Sequence, residues 1–236
     1  MAQVKEIIED AYTKVNGEYE AVVESSDDFK TYLRVLNIVM KNLCHMPYVK
    51  WRIFFDMEFD LPDAVVDGTL SYTIPDISKI DIANSPSDHI FFMSGNTVVA
   101  KYKLVSLPIF QSTSNTQVAT IAGDKLHLKA TESKIVGTTI RLPVYKDPEN
   151  YTSATQEVLV DSTPWLIASM SAFICASSPV PFIARNADRY EKEAAVYMKQ
   201  MRDVNRQMQA LVLTKLDIPI GHTWEDVMNV MTLKDL

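Results

Sequence analysis

Three carboxylates stand two residues apart at Asp56, Glu58 and Asp60. Successive side chains of a strand point to opposite faces, so this spacing places all three on one side. Such a ladder has the oxygen chemistry to bind a divalent cation, or to supply the acid and base of glycoside hydrolysis. The same alternation, with Phe55, Met57 and Phe59 in between, is also what any half-buried strand shows, and a solvated strand face accounts for it. Like charges side by side in water cost only about a few tenths of a kcal/mol per pair. Repeated around a ring of subunits, the row would line an acidic channel.

The remaining residue types offer less. The chain has six glycines, and none is spaced as a phosphate-cradling loop or a dinucleotide fingerprint. Neither a nucleophile elbow nor a His-Glu-x-x-His pair occurs. His45, His89, His127 and His222 are isolated and read as structural or surface histidines. Cys44 and Cys175 lie far apart in apolar surroundings and read as two thiols of a reducing compartment. The expectation is therefore no catalytic residue, no cofactor, no metal ligand and no enzyme.

Composition narrows the classes further. An apolar fraction of 47% in 236 residues is enough for a real core. A net charge of -7 argues against wrapping nucleic acid by neutralising phosphates, but suits a surface past which DNA slides. The first ten residues alternate charge and read as no signal peptide. Residues 164–184 carry no charge, yet Pro179 and Pro181 would break a spanning helix, so the segment reads as a buried helix rather than a membrane span.

The elements that would position these residues follow from periodicity. Residues 2–15 and 27–43 repeat apolar side chains at helical spacing, with Gly17 as a stop and the polar run 25–28 as a cap. At residue 50 the period changes to two. Strands are predicted over 51–61, 69–74, 77–82, 89–93, 98–105, 125–130 and 138–145, with turns between them and a loop at 112–116, describing an antiparallel sandwich or barrel. After a polar connector at 146–155, Pro164 opens a short apolar helix capped by Thr163. A helix without Gly or Pro is then predicted over 182–215, with Ile183, Ala187, Tyr190, Ala194, Tyr197, Met201, Val204, Met208 and Leu211 on one stripe. At 1.5 Å per residue it would be a rod of roughly 50 Å. Sustained three-four spacing favours a partner helix, which makes Tyr190, Tyr197, Met201 and Met208 candidate subunit contacts. Its basic residues Lys199, Arg202, Arg206 and Lys215 read mainly as charge favourable near a helix C-terminus. Thr223 and Asp226 open a short tail helix whose face carries Trp224, Val227, Met228 and Met231. So short a helix is marginal alone, so it either folds back or anchors on another protein.

The resulting plan is α+β. N-terminal helices (1–48) pack with the C-terminal helices (156–236) as one helical domain, and an antiparallel β module (49–155) is inserted between them.

This order resembles the head-to-tail adaptors, or connectors, of tailed bacteriophages. Tyr32-Leu33-Arg34-Val35-Leu36-Asn37 is similar to the family's second-helix run, with aromatic Trp51 soon after. Tyr72-Thr73-Ile74-Pro75-Asp76-Ile77-Ser78-Lys79-Ile80 resembles its strand–turn–strand. Ile140-Arg141-Leu142-Pro143-Val144-Tyr145, with Pro148, resembles the strand and connector before its return helix, here reached between Val160 and Trp165. The resemblance covers nearly the whole chain. It implies a ring-forming helical domain, usually twelve copies below the portal, joining head to tail in the virion and made in the bacterial host cytoplasm. DNA would pass through the lumen without sequence-specific binding, with Asp56, Glu58 and Asp60 facing it. The C-terminal segment, with Trp224, Val227, Met228 and Met231, would dock on the portal protein; tail or neck proteins would be the other partners, and no membrane is involved. Departures are a β module larger than in minimal members and a short tail. The alternatives are another neck or tail component, such as a stopper or tail-tube terminator, or a hydrolase using the carboxylate row.

Overall fold

The computed structural model describes residues 2–17, 21–46, 49, 51–81, 85, 87–212 and 218–225. Helices α1 (Val4–Asn16) and α2 (Asp27–Cys44) come first. Strands β1 (Phe55–Asp60), β2 (Ser71–Thr73), β3 (Ile80–Asp81), β4 (His89–Ser94) and β5 (Thr97–Leu104) follow. A short helix α3 (Leu107–Ser112) precedes β6 (Val118–Ala122), β7 (Lys125–Leu128) and β8 (Thr139–Lys146). Helices α4 (Thr163–Ser177), α5 (Pro181–Ala184) and α6 (Ala187–Val212) follow. Two compact units result, one from residues 1–54 and 147–207, the other from 55–146 and 208–236. No helix among the described residues is long and apolar enough to cross a membrane.

In the helical unit the caps do what their residue types allow. Gly17 takes the left-handed φ of 81° and returns its N–H to the Thr13 carbonyl, ending α1. Ser26 Oγ accepts from the Phe29 N–H at 3.1 Å, and Asp27 and Asp28 sit in the first turn of α2. Both helices bury their stripes, Val4 to Val15 on α1 and Phe29 to Leu43 on α2, and α4 packs on both. Ser162 rather than Thr163 caps α4, accepting from the Trp165 N–H at 3.2 Å.

The predicted rod over 182–215 is two helices, not one. The Asn186 carbonyl accepts from the Tyr190 N–H, so α6 begins there, while Arg185 closes α5 on the Pro181 carbonyl. Asn favours helix ends because its side chain competes for backbone partners. At 26 residues α6 is about 39 Å long. Its stripe also slips. Tyr190, Ala194, Met201 and Asn205 are buried, and Val204 is 43% exposed. After Met201 the buried position is Asn205 rather than Val204, the drift of a straight helix against a three-four repeat. Residues 213–217 and the side chains of Met208 and Leu211 fall outside the described residues.

The β unit is one sheet, ordered β1-β8-β4-β5-β6-β7-β2, with β3 on the end of β8. It curls as an open half-barrel and is neither a sandwich nor closed. Nor is it wholly antiparallel: β5 and β6 run parallel, which forces a crossover, supplied by α3. Neither α3 nor β6 was anticipated, although Ser106 followed by Pro108 is a helix-start pattern. Residues 52–54 form a 3₁₀ turn, so β1 starts later than the alternation suggested. One face of the sheet holds a core that includes Tyr72, Ile90, Phe92, Tyr102, Leu126 and Ile140. The other holds Phe91, Met93 and Val98 under the chain segment 218–225. With both faces covered, β4 reads as an unbroken apolar run rather than an alternating one.

Candidate functional site

The carboxylate row does not stand on one face. In β1, Asp56 pairs with Val144 and Asp60 with Arg141, and a bulge lies between Asp56 and Phe59. Three steps along β1 match two along β8, so the side-chain alternation changes phase. Asp56 falls on the face of Val144 and Leu142, and Asp60 on the opposite face with Arg141. Asp56 Oδ1 accepts the Glu58 N–H at 3.1 Å inside the bulge.

Arg141, noted in sequence only as part of a strand, is the organising cation. Its Nε and a terminal nitrogen donate to Asp60 Oδ1 and Oδ2 at 2.7 and 2.8 Å, and Glu58 lies 4.0 Å away. This planar fork engages both oxygens of Asp60, and those hydrogen bonds push the already high guanidinium pKa further up. The Arg141 side chain is only 11% exposed and its guanidinium lies 4.8 Å over the Trp224 ring. This geometry joins a strand edge to the tail.

Trp224 is 1% exposed and meets Phe91 edge-on at 5.5 Å. Backbone bonds hold it there: Gly221 N–H to the Val98 carbonyl at 2.8 Å, Val98 N–H to His222 at 3.1 Å, and Trp224 N–H to Asn96 at 2.8 Å. Of the tail's two fates, Trp224 has the fold-back one. Val227, Met228 and Met231 lie outside the described residues.

In the helical unit, Tyr190 is buried and donates its hydroxyl to the Lys14 carbonyl at 2.6 Å. Lys14 in turn reaches Glu193 and lies over the Tyr190 ring. Met201 is buried within the unit and Tyr197 is half-buried. A groove of about 360 Å³ runs along α2, α4 and α6, with Leu43, Met46, Trp165, Phe173 and Ala194 in its walls.

A cluster that the sequence did not reveal sits at the end of α2. The ligand-capable atoms of Cys44, His45 and Asp147 lie within 4.8 Å of one another. Cys44 Sγ is 3.8 Å from Asp147 Oδ1, and His45 Nε2 is 3.5 Å from Asp147 Oδ2. Cys-His adjacency was visible, but Asp147 joins them only through the fold. Comparison with protein-family models and with curated proteins found no match for the chain.

Proposed function

We propose that the chain is a structural adaptor of a tailed-bacteriophage particle. It forms a ring, usually of twelve copies, below the portal, joins head to tail and lets DNA pass through its lumen. Supporting this reading, the motif-bearing stretches form the helix and strand types it expects: Tyr32 to Asn37 lie in α2, Tyr72 to Ile80 run through β2 into β3, and Ile140 to Tyr145 lie in β8, ahead of the return helices. The observation that carries it is on those return helices. Phe182 on α5 is 77% exposed and Val196 on α6 is 59% exposed. In a closed ring each copy offers such a surface to a different surface of the next. Repetition then makes weak contacts strong in sum. The negative net charge suits a lumen that does not grip DNA.

Quantitative mass spectrometry of purified particles tests this. The expected result is as many copies as portal protein; absence from particles overturns it. Burial of Trp224 in its own unit favours a second reading, a neck component that meets the tail without gripping the portal. Truncation after Glu225 spares Trp224 and separates the two. An adaptor loses portal binding on truncation, whereas a stopper or terminator has none to lose.

A further inference from the structure

We propose that Cys44, His45 and Asp147 form a binding site for zinc-type divalent cations. The three donors are a thiol, an imidazole and a carboxylate, the set that borderline-soft Zn²⁺ takes in tetrahedral sites. Hard cations such as Mg²⁺ and Ca²⁺ prefer all-oxygen shells. The spacing fits as well as the chemistry. Metal bonds of about 2.0–2.3 Å at tetrahedral angles put ligand atoms about 3.4–3.6 Å apart. Here His45 Nε2 and Asp147 Oδ2 are 3.5 Å apart, and Cys44 Sγ and Asp147 Oδ1 are 3.8 Å apart. All three donors already lie within 4.8 Å of one another, so little movement closes the shell. Cys44 is the last residue of α2 and His45 its C-cap, so the carbonyl end of the helix adds negative potential where a cation would sit. Thiolate and carboxylate together match the charge of a divalent ion. On binding, the Cys44 thiol gives its proton to solvent as the metal–sulfur bond forms.

Both passages of the chain meet at this point. Cys44 and His45 end α2, shortly before the first segment of the helical unit stops at Phe54, and Asp147 opens the second segment. A bound metal would tie these ends and close a long chain loop, a restraint that weighs chiefly on the unfolded state. Three protein ligands leave at least one coordination position for water.

The test uses the full, untagged chain with Co²⁺ and Zn²⁺ chlorides. Co²⁺ is expected to give a visible ligand-field band and a near-ultraviolet thiolate-to-cobalt band, both displaced by an equivalent of Zn²⁺. Cys44→Ser should abolish the thiolate band. His45→Ala and Asp147→Asn should each weaken Zn²⁺ binding by about tenfold or more. No band in the wild-type chain, a thiolate band that survives Cys44→Ser, or variants that bind as wild type would each overturn the site. Should a variant fail to fold, alkylation of wild-type Cys44 mapped by peptide mass spectrometry decides: protection by Zn²⁺ supports the site, and equal rates with and without metal overturn it.

Discussion

Helices α1 and α2 turn their apolar stripes inside, from Val4 to Val15 and from Phe29 to Leu43. The return helices are amphipathic too, yet α6 buries Tyr190, Ala194 and Met201 while Val196 and Val204 stay out, and Phe182 stands exposed on α5. Helix-forming sequence is common to both regions. What differs is the packing: α1, α2 and α4 pack on one another, whereas among the described residues α5 and α6 leave Phe182, Val196 and Val204 exposed. An amphipathic pattern therefore states how much surface a helix needs covered, not who covers it.

The comparison breaks most visibly at Leu36, fully buried on α2. Leu36→Ala is expected to cost about 2–5 kcal/mol in urea unfolding. A loss under ~1 kcal/mol would mean that the N-terminal pair is no better packed than α6. Next come neighbours on α6. Met201→Ala should cost about 2 kcal/mol, and Val204→Ala should stay within about 0.5 kcal/mol. The reverse order would restore the three-four stripe and remove the slip to Asn205. Smaller in stability is the pair Phe182→Ser and Val196→Ser, each within about 0.5 kcal/mol in the monomer. Native mass spectrometry should nevertheless show less assembly in the double variant; unchanged assembly would show that the outer side of the return helices is not a subunit contact. Least costly is a thiol comparison. Cys175 is fully buried on α4 and burial pushes its thiol pKa up, while Cys44 is partly accessible. A thiol reagent should modify Cys44 first at every pH. Raising pH through the ordinary thiol range should leave Cys175 protonated and slow until the protein unfolds.

The helices were legible because capping and period are local: Ser26, Gly17 and the stripes of α1 and α2 announce themselves within a few residues. The β unit was legible in its alternating strands, but not where long-range pairing overrides local pattern. Val118–Ala122, two of its five residues alanine, gives a weak local signal, and pairing with β7 on one side and β5 on the other makes it a strand. The bulge in β1 left no mark on the alternation of residues 55–60, so a row that looked one-sided is split between two faces. Arg141 and Asp147 gain their roles from partners about eighty and one hundred residues away, a separation that no window along the chain spans.

The helical unit is discontinuous, and this dictates an order of events on the ribosome. Backbone bonds from Val4 and Lys5 reach Gln156 and Ala154, so the unit cannot close while those residues are still inside the exit tunnel. The pairing of β1 with β8, by contrast, is available once Lys146 emerges. At ~5–20 residues per second, the stretch from Lys146 to the end of the helical unit takes roughly 3–12 s to synthesise. Through that interval the nascent chain holds a nearly finished sheet and two helices whose apolar sides face water. Chaperones that bind exposed apolar helix should find their target at α1 and α2, the very helices that are best packed in the finished protein.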